Sequence, residues 1–77
     1  MRVFVNATPV DVAAGSDVGA AIRAHDPTLE ASARAGAALV TDGRGIELPL
    51  DGALEAGAIL RVILRARRPA AEPDADA

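Results

Sequence analysis

The sequence predicts a small α+β domain in which one main helix packs on a mixed sheet of four to five strands. Two observations lead to this class: apolar residues alternate with a period of two in separate segments, and one segment between them has apolar residues at helical spacing. The segments follow one another as two strands, a helix, two strands and a closing strand, which suits a single sheet. A chain of 77 residues is long enough for one such domain, which buries only about 60% of its unfolded surface.

The first segment predicts a β-hairpin. Apolar and polar residues alternate over residues 2–5, turn-forming residues occupy 6–9, and the alternation resumes at 10–12. Residues 6–8 also spell a glycosylation sequon. The chain starts without the basic and apolar regions of a signal peptide, so we interpret these residues as a turn.

The helical segment begins after this hairpin. Ser16 is the expected N-cap, and Val18, Ile22 and His25 recur on one helical face. His25 is the only histidine in the chain, which also contains no cysteine. We therefore interpret His25 as a helix-end residue favoured by the macrodipole, and not as a metal ligand or a general base.

A second helical turn is expected directly after the first helix. Pro27 disfavours the α conformation at Asp26, so the first helix should end near His25. Asp26 is then placed to cap a turn over residues 27–35, which Gly36 ends. Asp26 and Glu30 lie four residues apart, but an N-cap and a solvated first-turn acid explain both without a catalytic pair.

The second half of the chain predicts a further hairpin. Residues 37–41 and 46–48 have strand character, residues 42–45 form the turn, and Pro49 ends the second strand or places it at an edge. The glycines at 43 and 45 also allow an anion-binding loop. The hairpin explains the same residues more simply, and we prefer it.

The closing strand covers residues 59–65 and follows a compact turn region in which Leu50 and Leu54 are expected to plug one end of the core. If this strand pairs in parallel with the first, right-handed crossovers leave few topologies, of which the β-grasp is the most economical. Three side chains of the strand are assigned to the core: Leu60, Val62 and Leu64.

Composition and charge exclude several classes of function. The formal net charge is −3, but three of the eleven acids lie in 69–77, which leaves eight acids against eight arginines in residues 1–68. A neutral domain without Trp or Tyr lacks the basic excess and the stacking aromatics of a nucleic-acid binder. Without Cys there is no disulfide, thiolate metal site or thiol nucleophile. No apolar stretch is long enough to span a membrane, so we expect a cytoplasmic protein.

Two stretches of the chain resemble a known family. Residues 3–6 (VFVN), 12–15 (VAAG) and Val18 resemble the amino-terminal third of the ThiS sulfur carriers, and residues 54–57 (LEAG) with 59–64 (ILRVIL) resemble the closing part of the ThiS and MoaD carriers. The resemblance covers residues 2–64. It implies a ubiquitin-like β-grasp domain at 1–66, followed by an Arg-Arg junction and a disordered acidic Pro/Ala tail at 67–77.

The reactive motif of that family is missing. In ThiS and MoaD proteins a C-terminal diglycine is adenylated and converted to a thiocarboxylate. This sequence ends in Asp76 and Ala77, its last glycine is Gly57, which precedes the closing strand, and Ala58 stands where the family usually has an acid. We therefore expect a protein that is not an enzyme and that has no cofactor, metal or catalytic residue.

One surface is a candidate binding site. If Val3 and Val5 face the core, a sheet face with apolar centres and Arg margins results, and its members are Arg2, Phe4, Arg61, Ile63 and Arg65. We predict that this face binds a protein partner of unknown identity, because exposed apolar patches with Arg and aromatic residues mark interfaces. Arg stems that merely cover an open sheet face are the competing interpretation.

Several functional alternatives remain. A sulfur carrier for thiamin or molybdopterin synthesis with an atypical terminus is one, and an accessory subunit of an enzyme complex is another. We expect a monomer or weak homo-oligomer that binds neither nucleic acid nor membrane.

The acidic tail adds a hypothesis about this face. Its three acids, Glu72, Asp74 and Asp76, either fold back onto the arginines of the face and junction and compete with a partner, or belong to a disordered solubilising tail.

Overall fold

The computed structural model describes residues 1–65, which form a mixed four-stranded sheet and two helices and thus confirm the predicted α+β class. The elements are β1 (Arg2–Val5), β2 (Thr8–Asp11), α1 (Val18–His25), α2 (Pro27–Arg34), β3 (Ala38–Asp42) and β4 (Ile59–Leu64). The strand order is β2-β1-β4-β3. The central β1 and β4 are parallel, which is the condition on which the β-grasp expectation depends, and each edge strand is antiparallel to its neighbour.

The β1–β2 hairpin has a shorter turn than predicted. Only Asn6 and Ala7 connect the strands, and both have positive φ, 52° and 68°, as in the two-residue turns whose twist matches a hairpin. Thr8 and Pro9 were assigned to the turn but lie in β2. Pro9 is tolerated there because β2 is an edge strand, where a missing backbone N–H breaks no ladder bond.

The prediction of one main helix is wrong, because two helices of eight residues each form the helical layer. Asp26 separates them with an extended backbone (φ −161°, ψ 107°), and its carboxylate accepts a hydrogen bond from Thr28 N at 2.9 Å. Pro27 begins α2, as its fixed φ favours. α1 packs on β1 and β2, whereas α2 packs on β3 and β4, so the break lets two short helices cover one sheet.

The caps of these helices follow the sequence with one exception. The N-cap of α1 is Asp17 and not Ser16, since Asp17 Oδ1 accepts a hydrogen bond from Ala20 N at 2.8 Å. A carboxylate at this position also interacts favourably with the helix dipole, which a hydroxyl does not. After α2, Gly36 has φ 78°, as expected of the residue that ends a helix.

The second predicted hairpin contains a single strand. The turn at 42–45 is confirmed, but residues 46–48 form only an isolated bridge between Thr41 and Glu47, so the sheet has four strands. Asp42 N donates to Ile46 O, and Leu48 N donates to Val40 O, both at 2.9 Å. The pairing stops there because Pro49 follows.

The core lies between the helices and the inner side of the sheet. Among residues 1–65, ten apolar residues are buried: Val3, Val5, Val10, Val18, Ala21, Ile22, Ala38, Val40, Leu60 and Val62. Leu50 and Leu54 pack against this cluster, as predicted. Leu64 was assigned to the core but is 62% exposed, because it is the last residue of β4 and lies at the end of the sheet.

Glu30 also departs from the prediction. It was expected to be a solvated acid, yet it is buried and forms an ion pair with Arg34 one helical turn later. This pair satisfies a carboxylate that burial alone would disfavour.

Two predictions fall outside the described residues. These are the domain boundary after residue 66 and the disordered tail at 67–77. Among residues 1–65, neither helix has the length and apolar character needed to cross a membrane.

Candidate protein-binding face

The strands present two sides, and we call the side away from the helices the outer face. Val3 and Val5 of β1 are completely buried on the inner side. Because side chains alternate along a strand, Arg2 and Phe4 point to the outer face. On β4, Leu60 and Val62 are buried inward, whereas Ile59 and Ile63 are 52% and 57% exposed.

A groove of about 510 Å³ lies on this face where β1 meets β4. Phe4 and Ile59 are partners in the parallel register, so their side chains are neighbours across the two strands. Phe4 is half-buried. The groove-lining residues are Phe4, Asn6, Ala7, Ile59, Leu60, Arg61 and Ile63.

Asn6 shapes one end of the groove. Its side chain exchanges two hydrogen bonds with the backbone of Val62: Val62 N donates to Asn6 Oδ1 at 2.9 Å, and Asn6 Nδ2 donates to Val62 O at 3.2 Å. Asn6 N also donates to Leu60 O at 3.0 Å. The amide thus continues the β1–β4 ladder past the point where β1 turns into the hairpin, and it fixes the chain beside the groove.

Two arginines of the outer face have no acidic partner among residues 1–65. Arg61 and Arg65 are both exposed on β4 or directly after it. The ion pairs within residues 1–65 are Arg2–Asp11, Arg34–Glu30 and Arg44–Asp42. The β4 side of the face therefore carries positive charge that no carboxylate of the described chain neutralises.

Arg2 is in a different situation. Its guanidinium contacts the carboxylate of Asp11 on β2 at 3.2 and 3.3 Å. These hydrogen bonds, with the attraction between the charges, hold the pKa of Asp11 below its usual range. Arg2 is thus paired, and it lies at the start of β1, away from the groove.

The structure therefore divides the five predicted binding residues. Phe4, Arg61 and Ile63 line the groove, whereas Arg2 and Arg65 lie outside its lining. Ile59 and Asn6 also line the groove and were not among the predicted binding residues. The alternation of β4 already indicated that Ile59 points outward. At position 6, the sequence feature that could have indicated a tight turn beside the face is that Asn tolerates positive φ.

The edges of the sheet offer less to a partner than the face. On β2, Val12 N donates to Met1 O at 2.9 Å, and the alternation of bonded pairs leaves the backbone of Pro9 pointing away from β1. Pro9 has no N–H to give to an added strand. On β3, residues 46–48 already occupy the backbone of Val40 and Asp42.

The remaining candidates have structural explanations. In the 42–45 loop, Asp42 Oδ1 accepts hydrogen bonds from Arg44 N at 2.8 Å and from Ile46 N at 3.0 Å, so a carboxylate already uses the amides that a phosphate would need. His25 is the half-buried last residue of α1. No group of three or more potential metal ligands is found in residues 1–65.

Comparison with known proteins adds no family to this description. No family model matches the chain, and no curated protein or solved structure is significantly similar to it. The likeness to sulfur carriers therefore depends on the residues quoted above, with an α+β architecture that is compatible with a β-grasp.

Proposed function

We propose that this chain is a non-enzymatic, ubiquitin-like β-grasp protein, similar to the ThiS and MoaD carriers, that binds a partner protein through its outer face. A parallel central strand pair, a hairpin at the amino terminus and helices on one side of the sheet support this fold. The closing strand β4 lies at the centre of the sheet, as it does in a β-grasp.

The observation that carries the proposal is the apolar groove between β1 and β4 beside Arg61 and Arg65. An apolar concavity with a half-buried aromatic residue suits an anchoring side chain from a partner. These two arginines pair with no carboxylate of residues 1–65, and they favour carboxylates at the margin of the contact through charge-assisted hydrogen bonds. We therefore propose a partner segment in which an apolar residue is flanked by acidic residues.

Site-specific photo-crosslinking in the host tests this function. A photoreactive residue at Ile63 is expected to give a discrete protein adduct, whereas the same residue at Ala24, exposed on α1, gives none. The adduct at position 63 should be lost when Arg61 is replaced by Glu, which reverses the charge beside the groove. Equal adducts from the two positions, or an adduct that the R61E variant retains, would contradict the proposal.

The carrier alternative has a separate test. The protein is incubated with ATP, a sulfide source and the activating enzyme of its host, and its intact mass is recorded. We expect no change, because residues 58–77 contain no glycine for the activating enzyme to use. Replacement of one oxygen by sulfur would favour a carrier. An adduct with a subunit of a larger enzyme, together with co-purification, would favour the accessory role.

A further inference from the structure

Arg61 and Arg65 form a spaced pair of charges along the outer side of β4. They are four residues apart, so an extended chain separates their Cα atoms by roughly 13 Å. Ile63 lies between them and is 57% exposed. A ligand that pairs with both arginines needs two carboxylates at the same spacing, and it needs an uncharged surface toward the groove.

The residues that follow β4 have this pattern. Glu72, Asp74 and Asp76 alternate with uncharged residues, and the outer two are again four residues apart, or roughly 13 Å in an extended chain. Residues 66–71 provide six positions between Arg65 and Glu72, which is enough to reverse the chain direction.

We propose that residues 72–76 bind across the outer face of the same molecule, antiparallel to β4, with Glu72 beside Arg65 and Asp76 beside Arg61. Side chains alternate along an extended segment, so Pro73 would lie on the side away from the carboxylates and would face Phe4, which lines the groove. Proline-rich extended segments pack well on aromatic walls because they lose little conformational entropy. This contact uses the groove of the proposed function but requires no partner protein.

The tether favours this occupant over a second copy of the chain. Exposed ion pairs are individually weak, and separate molecules in dilute solution would rarely be held by them. A segment joined through six residues experiences an effective concentration in the millimolar range, so the same weak contacts act within one molecule. The contact is then independent of protein concentration and sensitive to salt.

Paramagnetic relaxation in the full chain tests the contact. The chain contains no cysteine, so A77C carries a single nitroxide label. We expect signal broadening at Ile59, Arg61 and Ile63, with none at Ala24 on the helical side. The broadening should fall in about 1 M salt, where the screening length is only about 3 Å.

Matched charge variants separate a specific contact from proximity to the tether. The pair E72Q and D76N is expected to abolish the broadening at Ile59 and Arg61, because it removes both carboxylates. The control pair D51N and E55Q also removes two exposed acids, from the turn region before β4, and should leave the broadening unchanged. Broadening that survives E72Q and D76N, or that is equal on both sides of the sheet, would overturn the proposal.

A mixed sample excludes exchange between molecules. Labelled protein without isotopes is combined with isotope-labelled protein that carries no nitroxide. The proposal requires that the isotope-labelled copies show no broadening, and broadening in this sample would assign the face to a second copy instead. If the partner of the proposed function exists, E72Q and D76N should also increase the adduct at position 63. Failure of that adduct to appear leaves the relaxation result intact, so the two proposals fail independently.

Discussion

The two sides of the sheet use the same strands for different purposes. Inward, Val3, Val5 and Leu60 are at most 1% exposed and meet the helices. Outward, the neighbouring Ile59 and Ile63 remain more than half exposed. The outward side therefore leaves apolar area in solvent that the inward side does not. Exposed apolar patches are a common property of contact surfaces.

Adjacent residues on β4 give the strongest test of this difference. L60A removes a fully buried side chain and should cost about 2–5 kcal/mol of the free energy of unfolding. I59A removes a side chain that is 52% exposed and should cost about 1 kcal/mol or less. The midpoint and slope of urea unfolding together give the free energy of unfolding of each variant.

A milder pair protects this comparison if L60A does not fold. I22V in the core should cost about 0.5–1.5 kcal/mol, and the chemically identical I59V on the outer face should cost less. Equal losses of unfolding free energy in the two variants would show that Ile59 on the outer face stabilises the fold as much as Ile22 in the core does.

The Asn6 amide is the next largest expected effect, since it joins the hairpin to the outer margin of β4. N6A removes two hydrogen bonds to Val62 and places alanine at φ 52°, so we expect a loss of about 2 kcal/mol in unfolding free energy. N6G removes the same bonds without the backbone penalty and should lose less. If N6A and N6G are both as stable as the wild type, the amide does not stabilise the strand pair.

At the next residue, Ala7, we expect a substitution that increases stability. Ala7 has φ 68°, a conformation that glycine adopts without steric cost, so A7G should raise the free energy of unfolding by about 0.5–1 kcal/mol. Thermal unfolding measures the gain. A loss of stability on A7G would mean that the entropy of the unfolded chain outweighs the relief at this turn.

The sequence was sufficient for the elements that depend on local pattern. Alternation located β1 and β4, and the Asp26–Pro27 pair located the break between the helices. Contacts that depend on tertiary placement were less accessible. Whether Glu30 is solvated or buried depends on how α2 packs on the sheet, and a local sequence pattern does not predict this packing. For the binding face, alternation indicated Phe4, Arg61 and Ile63. The role of Asn6 depends on a contact with Val62, 56 residues away.

Acid sensitivity should arise in part at the 42–45 turn, next to the groove-lining Ile59. The backbone N–H of Ile46, followed by the contacts from Arg44, lowers the pKa of Asp42. A carboxyl whose pKa is lower in the folded state contributes stability above its unfolded pKa and loses it as the pH falls through the folded value. Thermal unfolding from about pH 6 to about pH 2 should therefore show a smaller acid-induced loss in D42N, whose amide oxygen still accepts but does not titrate. An unchanged pH profile would contradict this role.

The Arg2–Asp11 pair is expected to have the smallest effect, and this sharpens the contrast between the paired and unpaired arginines of the outer face. Both side chains are largely exposed, at 62% and 71%, so solvent screens their attraction and R2A should leave the unfolding midpoint nearly unchanged. The pKa of Asp11 should nevertheless rise toward its ordinary value in R2A, because the hydrogen bond from the guanidinium is its main cause of depression. An NMR titration of the carboxyl measures this shift, and R61A serves as the control that should not move it. If R61A raised the pKa of Asp11 as much as R2A does, the two arginines would both act on Asp11 through long-range attraction and not through a specific pair. The binding proposal depends on the distinction between Arg2, which Asp11 neutralises, and Arg61, which no carboxylate of residues 1–65 neutralises, and this distinction would then fail.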